Sequence, residues 1–343
     1  MRDFLPADIP ALVLAPMQDV TDLPFMRVLG RRSLPDWFVT EYFRVHPDSK
    51  LNKYILRSIC ENETDRPIFA QMIGRDIPNL VRSAKELSQY PIAGIDLNLG
   101  CPAPVVCRKD AGGGLLRQPE KIREILGALR EAIPGRFTVK TRLGYYDAEE
   151  FQSLLEIFRS HEIDGLTIHG RTVLDRYQTP VRPPGVKLAV DTMACPVIAN
   201  GNVVDVETGL SFHRKTNAAG LMVGRGAIRN PWIFGQLQAA FRGETFKTIT
   251  HQDLSEYIAE LSEELARESV SYDPVLHIQR MKKTLIYISE GIDPEFEHGV
   301  RRMKTQTEFQ ALCDQYLSNK NPLPILPSRD SRIFCGFGDL IDH

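Results

Sequence analysis

Short apolar runs alternate with segments of helical periodicity from residue 12 to about residue 239. Each run is four or five residues long and ends in a turn, which is typical of buried parallel strands. In the segment 148–160, Phe151, Leu154, Leu155 and Phe158 recur at the spacing of one helix face. The pattern predicts strands at 12–15, 38–42, 68–71, 94–98, 137–141, 165–169, 197–200 and 220–223, with intervening helices such as 77–89, 119–132, 148–160 and 205–214.

Eight strands that alternate with helices over this length predict a (β/α)8 barrel, a TIM barrel, at residues 1–240. The alternative is an open, doubly wound sheet. It is disfavoured because the repeat count reaches eight and no Gly-x-Gly-x-x-Gly follows the first strand.

The alternation stops beyond residue 240, where amphipathic helices are predicted at 253–268 and 274–289, with one or two more in 294–317. These segments predict a small helical domain at 241–317. Residues 318–343 are rich in proline, with glycine near the end, and we expect an extended, partly mobile tail.

One face of the predicted helix 274–289 carries two cations and an aromatic ring, at Arg280, Lys283 and Tyr287. Such a face can contact phosphates and stack on a base, although a solvated helix surface has the same pattern. Arg301, Arg302 and Lys304 extend this candidate patch.

Composition is ordinary for a globular enzyme, with 43% hydrophobic and 25% charged residues in 343. The formal net charge of −2 means that any nucleic-acid surface must be a local patch. No apolar run approaches the ~20 residues of a membrane span, and the N-terminus lacks a signal peptide's apolar segment. We therefore expect a cytoplasmic protein without a membrane partner.

The six cysteines are scattered without a CxxC pair, so neither a disulfide framework nor a zinc or other metal site is expected. Cys60, Cys195, Cys313 and Cys335 are interpreted as structural. The role of Cys107 stays open, because it shares a loop with Cys101.

Polar residues follow all eight predicted strands, and in a barrel these ends surround one mouth. In chain order they are Pro16, Met17 and Gln18, then Thr40 and Glu41, Gln71, Asn98 and Cys101, Lys140 and Arg142, His169 and Arg171, Asn200, Gly201 and Asn202, and Gly224 and Arg225.

The glycine-containing turns after the last two strands, together with Arg225, predict a phosphate site, since backbone N–H groups and a guanidinium converge there. A cofactor anchored at that rim would lie across the mouth. Gln71 offers an amide to the pyrimidine edge of a flavin, and Lys140 places a cation where the reduced ring is negative. His169 is a further candidate for ligand contact.

The loop after the fourth strand carries the most distinctive stretch, Asn98-Leu-Gly-Cys-Pro102, followed by the glycines 112–114. Glycine and proline leave Cys101 in a loop just past the strand end, where a thiol can face a ligand. The glycines allow close backbone approach.

The chain resembles the tRNA-dihydrouridine synthases over nearly its whole length. The shared motifs are APMQDVTD at 15–22, NLGCP at 98–102, VKTRLG at 139–144, HGRT at 169–172, ANGN at 199–202 and GRG with a following NPW at 224–232. Residues 178–196 lack a tryptophan that members often carry, and Cys107 is an unusual second thiol. The segment 40–45, TEYFRV, is faintly similar to the subgroup that acts at position 16 of tRNA.

The resemblance implies an oxidoreductase that reduces the C5=C6 bond of a uridine in tRNA with FMN, and NADPH as the reductant. It implies Cys101 as proton donor. It implies an FMN shell of Pro16, Met17, Gln18, Gln71, Lys140, His169, Asn200, Gly201, Asn202, Gly224 and Arg225. Asn98, Arg142 and Arg171 are expected beside the base, and Arg280, Lys283 and Tyr287 beside the tRNA. We expect a monomer without a protein partner.

Two alternatives remain at this point. An FMN-dependent dihydropyrimidine or dihydroorotate oxidoreductase would act on a free base, and it would not need the basic helices after residue 240. An RNA-binding module that keeps the barrel as a scaffold would be a colourless protein.

Overall fold

The computed structural model describes residues 1–269, 271–324 and 326–341, without the side chain of residue 2. Its centre is a closed barrel of eight parallel strands, in which the pairing of strand 37–39 with strand 68–73 completes the ring. The strands are β1 (Ala11–Leu14), β2 (Trp37–Val39), β4 (Ile68–Ile73), β5 (Gly94–Leu99), β6 (Arg136–Arg142), β7 (Gly165–His169), β8 (Val197–Asn200) and β9 (Gly220–Val223), and a two-residue strand β3 (Phe43–Arg44) pairs only with β4. The predicted (β/α)8 barrel is confirmed.

The register of the strands brings the polar strand ends together. Asn98 pairs with Lys140 across β5 and β6. Arg142 pairs with His169 across β6 and β7, and His169 pairs with Asn200 across β7 and β8. Since all the strands are parallel, these residues lie at the same end of the barrel.

Helices alternate with the strands, and the longer ones cover the outside of the barrel. The helices are α1 (Leu23–Gly30), α2 (Lys53–Cys60), α3 (Ile77–Leu87), α4 (Pro104–Cys107), α5 (Pro119–Ala132), α6 (Phe151–Arg159), α7 (Pro183–Thr192), α8 (Val206–Thr216), α9 (Arg225–Arg229) and α10 (Ile233–Arg242). Helix α5 shows why they form: proline occupies its first turn, and Ile122, Ile125, Leu126 and Leu129 form one buried stripe.

Helix α6 begins three residues later than the periodicity predicts. The Glu150 carboxylate accepts the backbone N–H groups of Tyr145, Tyr146 and Asp147, at 2.7, 3.1 and 3.2 Å. These bonds hold residues 145–150 in a loop, so the helix starts only at Phe151.

Four helices follow the barrel: α11 (His251–Arg267), α12 (Pro274–Ile288), α13 (Pro294–Arg302) and α14 (Gln306–Leu317). The predicted segment 294–317 is thus two helices, since Thr305 forms a capping box with Glu308 and starts a new one. Helix α11 lies along α1, where Arg31 pairs with Glu264 at 2.5 Å and Arg27 pairs with Glu268 at 2.8 Å. Nothing in the structure tests whether this region is a separate tRNA-binding domain, which stays a prediction.

The expected tail at 318–343, part of which lies outside the described residues, is more compact than its composition suggests. Residues 331–340, which we call the C-terminal strap, fold back over the barrel, with a short 3-10 helix at Gly338–Leu340. Phe334 and Phe337 are buried against Val204 in a small cluster of their own. The strap stays in place because these aromatic side chains leave water.

Within the described part of the chain, no helix is long and apolar enough to span a membrane.

Candidate active site

A cavity of about 250 Å³ opens at the carboxyl ends of the barrel strands. Thirteen of the residues singled out from the sequence line it, and they come from most of the βα loops. They are Pro16, Met17, Gln18, Asn98, Cys101, Lys140, Arg142, His169, Asn200, Gly201, Asn202, Gly224 and Arg225.

The loop that carries Cys101 is held by the side chain of Asn98. The Asn98 Oδ1 atom accepts the N–H groups of Gly100 and Cys101, at 3.0 and 2.9 Å. Its Nδ2 atom donates to Gln71 Oε1 at 2.8 Å. The amide of Asn98 thus fixes the position of the thiol, and its expected contact with the base stays a prediction.

The glycines 112–114 pack directly against this loop. The N–H of Gly113 donates to the Cys101 carbonyl at 3.0 Å. A Cβ atom on Gly113 would lie 2.8 Å from that oxygen, and a Cβ atom on Gly112 would lie 3.0 Å from Cys101 Cβ. Larger residues would therefore displace Cys101.

The second thiol of the loop is directed away from the cavity. Cys107 is buried, and its Sγ donates to the Cys101 carbonyl at 3.4 Å. Burial raises the pKa of the Cys107 thiol. This thiol therefore supports the loop, and it does not line the cavity.

Lys140 projects into the cavity, where its Nζ atom donates to Asn200 Oδ1 at 3.1 Å. Asn200 is itself fixed, because its Nδ2 donates to the Met222 carbonyl at 2.8 Å. Burial, and then the charge of Arg142, lower the pKa of Lys140 to about 8. A buried ammonium of this kind gains from an anionic partner.

His169 is a neutral hydrogen-bonding group in this cavity. Burial lowers its pKa well below the ordinary value, and the charges of Arg142 and Arg171 lower it further. The Arg171 Nη1 atom lies 3.2 Å from His169 Nε2, which fixes that nitrogen as an acceptor. The His169 ring also packs beside Tyr177, with 5.8 Å between the centroids.

Arg142 clamps the surrounding loops. It is 1% exposed. Its Nε donates to the Gly100 carbonyl at 2.8 Å, and its Nη1 donates to the carbonyls of Thr172 and Arg176. Although it lines the cavity, much of its donor capacity is used inside the protein, and a direct role toward the base stays a prediction.

Arg171 was expected beside the substrate, and the structure places it elsewhere. It is fully buried and does not line the cavity. Its guanidinium donates to Thr179 O, Asn202 Oδ1 and Cys335 O, at 2.5, 3.0 and 3.0 Å. Since the chain turns Arg171 behind the mouth, it supports the loops after β7 and β8 and the strap.

Gln71 also lies behind the cavity wall, where it is fully buried. Its Nε2 donates to Asp96 Oδ2 at 2.7 Å, while its Oε1 accepts from Asn98. Gln71 thus supports Asn98 from below. Contact between Gln71 and a flavin stays a prediction.

The turns after β8 and β9 form the other end of the cavity. Gly201 has φ +125°, and its Cβ would lie 2.8 Å from His169 Cδ2. A Cβ on Gly226 would lie 2.2 Å from the Val203 carbonyl. These close approaches need glycine, and they leave open backbone beside the half-buried side chain of Arg225.

The predicted RNA-facing residues on α12 make contacts within the protein. Arg280 pairs with Asp22 at 3.3 Å and Lys283 pairs with Asp19 at 3.1 Å, and both cations stay partly exposed. Tyr287 packs edge-on against Phe334, with 6.4 Å between the centroids. The ring of Tyr287 is thus in contact with the strap, and stacking of Tyr287 on a base stays a prediction.

Three aromatic side chains of the cavity were not identified from the sequence: Tyr42, Tyr177 and Phe334. Tyr42 lies beside Cys101, and burial and then that thiol raise its pKa. Tyr42 follows the polar end of β2, so the rule that strand ends surround the barrel mouth could have identified it from the sequence. Tyr177 and Phe334 lie in irregular segments, where no periodicity indicates direction.

Within the described residues, no carboxylate lines the cavity, and no cluster of side chains could hold a metal ion. Lys140, Arg142 and Arg225 all contribute positive charge. In addition, the Gln18 Oε1 atom is buried without a hydrogen-bond partner. A site with unmet positive charge, an unpaired amide oxygen and a thiol suits a polar, anionic ligand with N–H donors.

The family model "Dihydrouridine synthase (Dus)" matches residues 13–321. A protein of Neisseria meningitidis serogroup A named tRNA-dihydrouridine(16) synthase is 30% identical over 317 residues, 89% of this chain and 94% of its own. A probable tRNA-dihydrouridine synthase of Staphylococcus epidermidis is 34% identical over 320 residues, 90% of this chain and 94% of its own. Probable tRNA-dihydrouridine synthase 2 of Bacillus subtilis is 30% identical over 319 residues, again 90% and 94%.

Proposed function

Because the chain belongs to the dihydrouridine synthase family, we propose that it is a flavin-dependent oxidoreductase that reduces uridine in tRNA to dihydrouridine. The observation that carries this proposal is Cys101, held beside a cationic cavity at the barrel mouth by Asn98 and Gly113. The family match favours tRNA over a free pyrimidine as the substrate.

The cavity suits FMN as the particular flavin. Arg225 and the glycine turns at 201 and 224 would hold its phosphate, and Lys140 and Gln18 would contact its ring. The unpartnered Gln18 Oε1 atom fits an N–H donor of such a ring. When bound, the flavin supplies the hydride that reduces the uracil, and NADPH is our proposed source of electrons.

Cys101 gives the proton that completes the reduction at C5. A thiol at this position in the cavity can act as a general acid. The hydrogen bonds to its backbone N–H and carbonyl keep its side chain at the cavity. Positioning of this kind is what makes a single acid effective.

The uridine must leave its stack to reach Cys101, because the thiol lies at the barrel mouth within the loops. Tyr177 and Arg142, which lie together with 5.1 Å between the guanidinium carbon and the ring centroid, offer a flat surface for the extruded base. The exposed cations of α12, Arg280 and Lys283, would contact the tRNA backbone.

We further propose position 16 as the first uridine to examine. Support comes from the Neisseria relative, whose name specifies that position. Action as a monomer in the cytoplasm is part of the same proposal.

The proposal is tested by mapping dihydrouridine in tRNA from cells with and without this protein. We expect one uridine to lose its 2-Da mass increase in the deletion strain. The wild-type gene should restore the increase and Cys101→Ala should not. An unchanged dihydrouridine pattern in the deletion strain would contradict the proposal.

A further inference from the structure

We propose that the C-terminal strap is a functional part of the flavin phosphate site, because its residues hold Arg225 in place. This inference rests on the proposed flavin function and deepens it. It makes Ile333 and Phe334 positioning residues for the phosphate-binding guanidinium.

Contacts on Arg225 carry the inference. The backbone carbonyl of Ile333 accepts a hydrogen bond from Arg225 Nη1. The ring of Phe334 lies 5.7 Å from the guanidinium carbon, and the ring of Tyr177 lies 4.6 Å from it. The strap thus supplies one hydrogen-bond acceptor and one aromatic ring to the same cation.

The strap is fastened to the barrel at a defined position. The Cys335 carbonyl accepts from Asn202 Nδ2 and Arg171 Nη2, at 3.2 and 3.0 Å. Gly336 has φ +70°, and a Cβ atom there would lie 2.8 Å from the backbone nitrogen of Pro180. At the far end, Lys215 donates to the Asp339 carbonyl at 3.0 Å. The contact with Arg225 is therefore built into the fold.

These contacts orient Arg225 without neutralising it. Burial lowers the pKa of Arg225, and the acceptor that the strap supplies is an uncharged carbonyl. The nearby Arg182, by contrast, pairs with the carboxylate of Asp175. A guanidinium that is fixed by a carbonyl and rings keeps its charge and its remaining donors for a phosphate dianion.

The strap lies beyond residue 321, where the match to the family model ends. Phe334 also touches Tyr287 of α12, so the strap lies between the barrel mouth and the following helices.

The test compares FMN with riboflavin, which has the same ring system and no phosphate, in titrations of the full-length protein freed of flavin. Phe334→Leu keeps an apolar side chain and removes the ring beside Arg225. We expect its FMN dissociation constant to rise roughly fivefold to tenfold, as the loss of a partly buried cation–π contact implies. Its riboflavin affinity should not change.

Gly336→Ala is the second variant. It should weaken FMN binding further, since the added Cβ atom would displace the strap from the barrel. Arg225→Ala gives the reference value, the FMN affinity that remains when the phosphate-binding guanidinium is absent. Phe337→Leu is the matched control, because leucine keeps the apolar contact that holds the strap, while the ring it removes neither lies beside Arg225 nor lines the cavity. It should leave FMN and riboflavin affinities equal to those of the wild type.

Equal loss of FMN and riboflavin affinity in Phe334→Leu would overturn the inference, because it would show a purely structural role. Tighter FMN binding would overturn it too, since the strap would then compete with the phosphate. If the wild type binds FMN and Phe334→Leu binds it equally well, this inference alone fails. If the wild type binds neither flavin, the proposed function fails with it.

Discussion

At the scale of single residues, the polar side chains of the barrel mouth mainly contact one another. Asn98 accepts two N–H groups of the Cys101 loop, and Arg142 donates to the Gly100 carbonyl of the same loop. Asn200 orients Lys140. Several groups that a sequence motif suggests as ligand contacts thus also position the Cys101 thiol and the Lys140 ammonium.

Glu41 shows how far burial can shift the pKa of a side chain at the end of a strand. It is 9% exposed, and its Oε1 accepts the Val20 N–H at 3.1 Å. Burial, and then the charges of Asp22 and Asp19, raise the pKa of Glu41 to about 8. Glu41 is therefore protonated in the folded protein at neutral pH.

We predict that Glu41→Gln reduces the loss of stability between pH 6 and pH 8. In this window the unfolded chain has already released the Glu41 proton, at the ordinary pKa of 4.5, while the folded protein keeps it, so the free energy of unfolding falls as pH rises. The slope from one such group is at most about 1.4 kcal/mol per pH unit. Glutamine has no proton to release, so the variant should lack this part of the slope in urea titrations.

Glu61→Gln is the control for this experiment. The ion pair with Arg57 lowers the pKa of Glu61, so this carboxylate is ionised throughout the window. Its substitution should shift stability equally at pH 6 and pH 8. Parallel pH profiles of Glu41→Gln and the wild type would contradict the raised pKa.

At the scale of elements, α12 connects two parts of the molecule. Its cations Arg280 and Lys283 pair with Asp22 and Asp19, in the loop that follows Met17 and Gln18. Partly exposed ion pairs of this kind contribute little to stability. The same cations are therefore free to exchange their carboxylate partners for phosphates of tRNA.

We predict that Arg280→Ala combined with Lys283→Ala weakens tRNA binding and flattens its dependence on salt. The slope of log affinity against log salt should fall by roughly one unit for each lost phosphate contact. Filter binding across a salt series measures both quantities. Flavin content should not change.

Two single variants sharpen this prediction. Lys282→Ala is the matched control, because Lys282 is the neighbouring cation and donates instead to the Arg301 carbonyl. Asp19→Asn releases Lys283 and should strengthen tRNA binding. If Asp19→Asn weakens binding and the double variant keeps the wild-type slope, the face of α12 serves only to attach the helices to the barrel.

At the scale of the whole molecule, the barrel could be predicted because its signal is local and repeated. Strands β7, β8 and β9 have the bounds that the apolar runs indicate. The βα alternation also places Asn98, Cys101, Lys140 and His169 at one end, since parallel strands share their carboxyl edge. Most of the cavity lining follows from that rule.

What could not be predicted depends on contacts between distant parts of the chain. Arg171 directly follows β7, and only the packing against residues 179, 202 and 335 turns it behind the cavity. The strap has a loop-like composition, yet it folds because Phe334 and Phe337 meet Val204, more than 100 residues away.

The central claim is that Cys101 protonates uridine in tRNA, and single-turnover oxidation of the pre-reduced enzyme by unmodified tRNA tests it most directly. Flavin absorbance follows the reaction, and mass spectrometry counts the dihydrouridine formed. We expect Cys101→Ala to keep its flavin and its reduction by NADPH, while uridine reduction falls ~10²–10⁴-fold. Cys101→Ser should recover little of this loss, since a hydroxyl is a weaker acid.

Cys107→Ala is the matched control, because Cys107 lies in the same loop and donates to the Cys101 carbonyl from outside the cavity. It should keep most of the single-turnover rate. An inactive Cys107→Ala together with a fully active Cys101→Ala would contradict the account.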